Sequence, residues 1–313
     1  MMSRGRRFVG LACAGLVLAG TATATSSGDA TEVVAVPWSA APTLTSASSA
    51  AQTRQLPRGG TEIFPDYQLV AFYGTAQTPS MGVLGEGTPP QMTKRLRAAA
   101  RPFQVKGKRI QIVYELIVSV ADAGAGSDGT YSHYIPREYV QKFINLARRN
   151  KALLLLDLQP GRESFLPQAR HFRWALRQPF VGLALDPEWR MRRGQVPART
   201  IGHVGAVEVN RVSRFVADLT RRNKLPEKLF VIHQFRREMV TNIERVRSRA
   251  GLAMVQHVDG FGTRSQKLAT YHHVAEPRQF TMGFKLFYDE DTDLFRPREA
   301  LAIRPRISFV SYQ

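Results

Sequence analysis

The sequence predicts an α/β protein built as a (β/α)8 TIM barrel. Three observations predict it: eight short apolar runs, amphipathic segments at helical spacing between them, and about 250 residues to hold both. Runs that are apolar almost throughout suit parallel strands covered on both faces, whereas a strand with one wet face alternates. Of the 313 residues, 43% are hydrophobic and 22% charged, which excludes a disordered chain or a coiled-coil rod as the whole answer.

At the N-terminus, Arg4, Arg6 and Arg7 precede an apolar stretch from Phe8 to Gly20, and Ala22-Thr23-Ala24 follows. A basic start, a short apolar centre and small residues at fixed spacing read as a secretory signal over residues 1–24. The stretch is too short to cross a bilayer, which takes about 20 residues, so the mature chain is expected to have no transmembrane segment. Arg6-Arg7 fits twin-arginine export loosely. A lipid anchor on Cys13 is disfavoured, because almost no apolar centre would precede it. Cys13 is the single cysteine, so disulfide scaffolds and cysteine-rich zinc sites are excluded. Residues 25–60 are rich in Ala, Ser and Thr, the composition of a flexible tether, with Trp38 as its one aromatic residue. Residues 61–313 form the barrel domain, and the expected location is secreted or envelope-associated.

The strands are expected at Gln68–Tyr73, Ile110–Val118, Ala152–Leu158, Val181–Asp186, Leu229–Gln234, Leu252–Val258, Met282–Phe287 and Ile307–Tyr312. Helical stripes lie between them: Val140, Phe143, Ala147; Phe165, Ala169, Phe172, Leu176; Val209, Val212, Val216, Leu219; and Met239, Ile243, Val246. Pro136 stands where a first helical turn would begin. An open doubly wound sheet is the competitor, but no G-x-G-x-x-G follows Phe72-Tyr73-Gly74. Strand eight ends one residue before Gln313, so the final helix is missing, and part of the 31–66 segment is expected to cover the gap.

Lys and Arg number 44 against 25 Asp and Glu, a formal charge of +19. The basic residues are scattered through the helices without a nucleic-acid-reading motif, so no nucleic acid partner is expected. For an exported protein the counterion would be an anionic envelope polymer or lipid headgroup; a merely soluble basic surface is the alternative.

Barrel active sites lie at the carboxyl ends of the strands, and there the polar residues collect. Strand one ends in Tyr73; strand two carries Glu115 in mid-run, placed in a polar layer beneath the site. Strand three ends Asp157-Leu158-Gln159, strand four Asp186-Pro187-Glu188-Trp189, strand five His233-Gln234 and strand six His257-Val258-Asp259. Lys285 lies within strand seven. Carboxylates that end apolar strands must face a polar cavity or one another, because burying an unpaired charge is costly.

Asp186 and Glu188 are the sharpest pair. Two residues apart on an extended segment, both would point toward the barrel mouth beside Trp189. Paired carboxylates next to an aromatic ring suit glycosidic cleavage, with Glu188 as general acid and Asp186 as its partner. The plainer alternative has Asp186 capping a turn and Glu188 pairing with Arg190 or Arg192. Asp157 or Asp259 would complete a carboxylate pair with Glu188. Lys285 is either a Schiff-base lysine or, more simply, an ion-pair partner of Asp259. His233 would donate to a substrate hydroxyl or satisfy a strand-end carbonyl. Asp157, Gln159, Trp189, His233, Asp259, Lys285, Tyr73 and Glu115 are thus the expected substrate-binding residues. His233, His257, Asp157, Asp186 and Asp259 are suitable metal ligands by type, but strand one lacks the H-x-H of metal-dependent barrel hydrolases, so neither metal nor cofactor is expected. His272-His273 fall on a helix away from the mouth. No G-x-S-x-G supports a serine nucleophile.

Gly182-Leu183-Ala184-Leu185-Asp186-Pro187-Glu188-Trp189 resembles the D-x-x-D-x-D-x-E signature of chitinase-like (family 18) glycosidases in its last two acids. That resemblance implies that Glu188 is the acid and Asp186 orients the substrate. Ala184 stands where the preceding family aspartate would be. From Leu69 to Gln313 the chain is also similar to a family of exported actinobacterial proteins with no assigned reaction. The phrases that carry this are Ala71-Phe72-Tyr73-Gly74, Gly82-Val83-Leu84-Gly85, Leu155-Leu156-Asp157-Leu158-Gln159-Pro160-Gly161, Leu185-Asp186-Pro187-Glu188-Trp189, Val258-Asp259-Gly260-Phe261-Gly262 and Gly283-Phe284-Lys285-Leu286-Phe287-Tyr288. It implies a glycosidase-like barrel in the envelope. The expectation is therefore a glycoside-hydrolase-like protein acting on a wall or extracellular polysaccharide, with a catalytically silent glycan-binding barrel as the alternative.

Overall fold

A computed structural model describes residues 55–313, and in it eight parallel strands close on themselves. They are β1 (Tyr67–Gly74), β2 (Arg109–Ala121), β3 (Leu153–Leu158), β4 (Val181–Leu185), β5 (Lys228–Gln234), β6 (Leu252–Val258), β7 (Thr281–Leu286) and β8 (Ile307–Tyr312). Each pairs with its successor, and β1 pairs with both β2 and β8, which closes the barrel expected from sequence. A short antiparallel strand, Ser132–Tyr134, pairs with the end of β2. The signal segment 1–24, Cys13, Trp38 and the tether up to residue 54 lie outside the described residues.

The outer layer holds α1 (Pro89–Ala100), α2 (Arg137–Asn150), α3 (Phe165–His171), α4 (Arg173–Leu176), α5 (Ala206–Arg222), α6 (Arg264–Val274) and α7 (Pro297–Ala302). Thr88 with Gln91, and Thr263 with Gln266, form capping boxes that satisfy the free N–H groups opening α1 and α6. Apolar stripes of α2 and α5, among them Val140, Ile144, Val209, Val212 and Val216, bury against the strands. No helix among the described residues is long and apolar enough to cross a membrane.

Two helical expectations need correction. Met239, Ile243 and Val246 are buried, but Met239 and Ile243 lie on single 3-10 turns, Arg237–Met239 and Ile243–Arg245, and Val246 is extended just after the second. Asn242 between them takes a left-handed conformation, φ 57°, which ends any helical run, and Val240–Thr241 pairs with Val204–Gly205 instead. The stripe from Phe165 to Leu176 is two short helices, broken where Phe172 leaves helical geometry at ψ 12°.

The barrel floor is closed by residues 55–66. Leu56 and Ile63 are buried in the core, and the Tyr67 hydroxyl donates to Gly59 O at 2.6 Å. The Ile63 amide donates to Glu227 Oε2 at 2.6 Å, just ahead of β5. No helix follows β8 among the described residues.

Candidate active site

The side chains that reach across the barrel meet inside it. Glu115 on β2 and His233 on β5 stand three strands apart, so the 3.0 Å contact between Oε1 and Nε2 passes through the lumen. Strand register prepares this: Tyr73 lies beside Glu115, His233 beside His257, and Lys285 beside Ser311. Because side chains alternate along a strand, these residues share the inward face of their strands.

His233 is held at both nitrogens, Nε2 by Glu115 and Nδ1 by Asp259 Oδ2 at 3.1 Å. Burial opposes its charged form, but the carboxylates of Asp259 and Glu115 together outweigh it and raise the imidazole well above its usual range. It is an imidazolium locked between two carboxylates, with no nitrogen left for a substrate hydroxyl or a strand-end carbonyl. His257 stacks on it at 5.2 Å and bonds through Nε2 to Ser311 Oγ at 3.0 Å. Burial, and then the charges of His233 and Lys285, hold His257 well below its usual value, so it is neutral. Gly283 makes room for that ring: a Cβ there would lie 3.1 Å from it.

Tyr73 donates to Asp157 Oδ2 at 2.9 Å and accepts from Gln159 Nε2 at 3.1 Å. The Gln159 carbonyl in turn accepts from the Ala121 amide at 3.2 Å, so this side chain serves Tyr73 and β2. Burial and then the Asp157 charge raise the Tyr73 phenol well above its ordinary value. Burial pushes Asp157 up to about 6, with His233 the main opposing influence.

Asp186 and Glu188 do not leave β4 as an extended pair, and this corrects the premise of the glycosidase expectation. β4 ends at Leu185, and Pro187–Trp189 is a 3-10 turn. Asp186 makes no capping bond to that turn, and Arg190 pairs with Glu208 at 3.2 Å rather than with Glu188. The turn is fixed from outside by Gly202, whose amide donates to Glu188 O at 2.6 Å. A Cβ on Gly202 would stand 2.6 Å from the carbonyl oxygens of Pro187, Glu188 and Arg190. Burial, and then the Asp157 charge, raise Asp186 well above the carboxylate range. Burial and then Asp259 push Glu188 up to about 7, with Lys285 the largest opposing influence. Asp259 is thus the carboxylate that bears most on Glu188, and Asp157 the one that bears most on Asp186. Trp189 is half-buried beside them.

Lys285 does not pair with Asp259. Its ammonium lies 3.4 Å from the centroid of the Tyr73 ring, and among the described residues no carboxylate comes within 4.0 Å of it. The Tyr73 ring, covered by this ammonium and only 3% exposed, offers no face to a sugar. Sequence reasoning missed Ser311 and Lys267. Lys267 bonds to Gly260 O, Lys285 O and Asp291 Oδ1 at 2.7, 2.9 and 3.0 Å, tying the loops after β6 and β7 to Lys285. Its signal was a lysine among the apolar positions of α6.

Glu115 Oε2, Asp157 Oδ1, Asp186 Oδ1 and Asp259 Oδ1 are buried with no hydrogen-bond partner among the described residues. No three His, Cys, Asp or Glu side chains among those residues are grouped as a metal ion would need.

No family model matches the chain, and no curated protein does. Among solved structures it is similar to an oxaloacetate acetylhydrolase holding the inhibitor 3,3-difluorooxalacetate, at 15% identity over 84% of this chain and 80% of that one, with a TM-score of 0.47. It is also similar to the spore coat polysaccharide biosynthesis protein SpsE of Bacillus subtilis, at 11% identity over 82% of this chain and 62% of that one, TM-score 0.43. These likenesses concern the barrel. No matching family accompanies the resemblance to chitinase-like or exported actinobacterial proteins. The expectation of O-glycosyl hydrolysis on a wall polysaccharide is corrected on the geometry, because Asp186 and Glu188 do not form the extended acid pair on which it rested. Asp157, Asp186 and Asp259 are at most 7% exposed.

Proposed function

We propose that the chain is an enzyme of general acid–base chemistry acting on a small polar molecule at the carboxyl end of the barrel, with Glu188 exchanging the proton. One observation carries this reading: buried polar side chains from β1, β2, β3, β5 and the loop after β6 meet one another inside the barrel. Burying so many polar and charged groups in one place opposes folding, which a core serving stability alone would avoid.

The roles follow from position. His233, clamped by Glu115 and Asp259, supplies a fixed positive charge beneath the site. Asp186, raised well above its ordinary value by burial and then by the Asp157 charge, holds its proton more tightly than an exposed carboxyl does. Glu188 stands on the turn above them, partly exposed, and its value near 7 lets it give or take a proton with little bias at neutral pH. The orphan oxygens favour a substrate rich in hydrogen-bond donors.

The test is proton exchange with solvent. The protein in D2O is incubated with separate small hydroxy acids, hydroxy ketones and amino alcohols, and loss of C–H signals is followed by proton NMR. The expected result is exchange into one class, slowed about 10²–10⁴-fold in Glu188→Gln. Exchange unchanged by that substitution, or none with any compound, overturns the reading.

A further inference from the structure

We infer that Lys285 is a nucleophile that captures a small hydroxylated carbonyl compound as a protonated imine. This rests on the acid–base reading above and names its substrate class.

The observation is a lysine without an occupation. A buried ammonium is ordinarily retained through an ion pair or through carbonyl acceptors, as Lys267 and Lys228 show. Lys228 is satisfied by Gln178 O and Val181 O at 2.8 and 2.9 Å, and Lys267 by two carbonyls and Asp291. Lys285, 4% exposed, has neither an ion pair nor a hydrogen bond from its ammonium among the described residues; it has the Tyr73 ring at 3.4 Å and the Phe287 ring at 5.3 Å. Aromatic surfaces hold the nitrogen in place without tying up its hydrogens. Lys267 grips the Lys285 carbonyl at 2.9 Å, so the backbone that carries the nucleophile is anchored by a second lysine. Two aromatic rings and the contact of Lys267 with its carbonyl are thus the immediate surroundings of Lys285.

Among the cations, Lys285 is the largest influence opposing the rise of Glu188. The step balances between these two groups and the substrate. The Lys285 ammonium passes a proton, relayed by a solvent water, to the Glu188 carboxylate, and the freed nitrogen pair attacks the carbonyl carbon while the π pair moves to oxygen. A second nitrogen proton goes to that oxygen. Glu188 then returns its proton to the resulting hydroxyl, which leaves as water as the nitrogen pair forms the C=N bond. One ammonium and one carbonyl become one protonated imine and one water, and Glu188 ends as it began.

The choice of a neutral hydroxylated carbonyl comes from charge. Glu115, Asp157, Glu188 and Asp259 outnumber the two cations, His233 and Lys285, so a keto acid would meet an excess of carboxylates. Hydroxyl groups would instead donate to the orphan oxygens of Glu115, Asp157 and Asp259.

The experiment is reductive trapping. The full-length protein is incubated with dihydroxyacetone, glyceraldehyde or pyruvate, and sodium cyanoborohydride delivers hydride to the imine carbon; labelled lysines are mapped by peptide mass spectrometry. Lys285 is expected to label at least about tenfold faster than any other lysine, with the hydroxylated probes ahead of pyruvate, and Glu188→Gln is expected to slow this label about 100-fold. Labelling spread over exposed lysines, with Lys285 no faster than in urea-unfolded protein, overturns the imine. Pyruvate ahead of both hydroxylated probes overturns the substrate class. Lys285→Met, checked for folding by circular dichroism, should lose the fast label only. If Lys285 stays unlabelled while Glu188 still titrates near neutrality, the imine fails and the acid–base reading stands; if Glu188 titrates as an ordinary carboxyl, that reading fails on its own.

Discussion

Glu115 Oε1 and His233 Nε2 meet at 3.0 Å across the barrel, both side chains wholly buried. The pair joins β2 to β5, and Asp259 extends it to the loop after β6 at 3.1 Å. This bracket places a fixed charge under the site and ties non-adjacent strands together.

Removal of the imidazolium leaves two carboxylates facing each other without compensation. His233→Ala is therefore expected to lower stability by about 3–5 kcal/mol, read from urea denaturation at pH 7. A loss below about 1 kcal/mol would mean that the bracket is hydrated and carries little charge.

Tyr73→Phe removes the donor to Asp157 and the acceptor for Gln159 while keeping the ring under Lys285. The expected cost is about 1–2 kcal/mol. Because the Tyr73 bond is one of the influences that lower Asp157, that carboxyl should titrate higher in the variant than its present value of about 6. An unchanged Asp157 titration by carbon-13 NMR would contradict the arrangement.

The barrel was readable from the sequence because its signal is repeated. Eight apolar runs and the stripes of α2 and α5 each depend on burial, and each tolerates a boundary error of a residue or two. The helix expected at Met239–Val246 failed because spacing reports which residues are buried, not the backbone between them, and Asn242 turns left-handed there. The convergence of Tyr73, Glu115, Asp157, His233 and Asp259 followed from strand ends meeting in a barrel. What each touches did not. The contact between Glu115 and His233 depends on barrel closure, and the vacancy beside Lys285 depends on where Asp259 turns; Asp259 was read as its partner and instead holds His233. The Asp186–Glu188 reading failed for a local reason, since Pro187 opens a turn where an extended dipeptide was assumed.

That turn can be disturbed without touching an acid. Gly202→Ala forces a methyl against three carbonyl oxygens of the Pro187–Arg190 turn, at an expected cost of about 1–3 kcal/mol. The displaced turn should also bring Glu188 back toward its ordinary titration range. Stability and titration both unchanged would show that the turn is not held there.

Glu188 also gives the stability a distinct pH dependence. Its ordinary value is 4.5 and its folded value about 7, so between those pH values the folded chain holds a proton that the unfolded chain has released. The stabilisation is complete below about pH 4.5 and is lost as pH rises through 7. Glu188→Gln lacks this loss, so its stability relative to wild type should rise across that window and level off above it. Denaturant midpoints at pH 4.5, 6 and 8 for both proteins check the trend; a constant difference would contradict it.

The most direct measurement is the titration of Glu188 itself. Carbon-13 NMR of Glu side-chain carboxyls from pH 3 to 9, with Glu188→Gln to assign the resonance, reports one midpoint. A midpoint near 7 is the result the account predicts. A midpoint near 4.5 would place Glu188 in solvent and remove the proton-exchanging group from the proposed site.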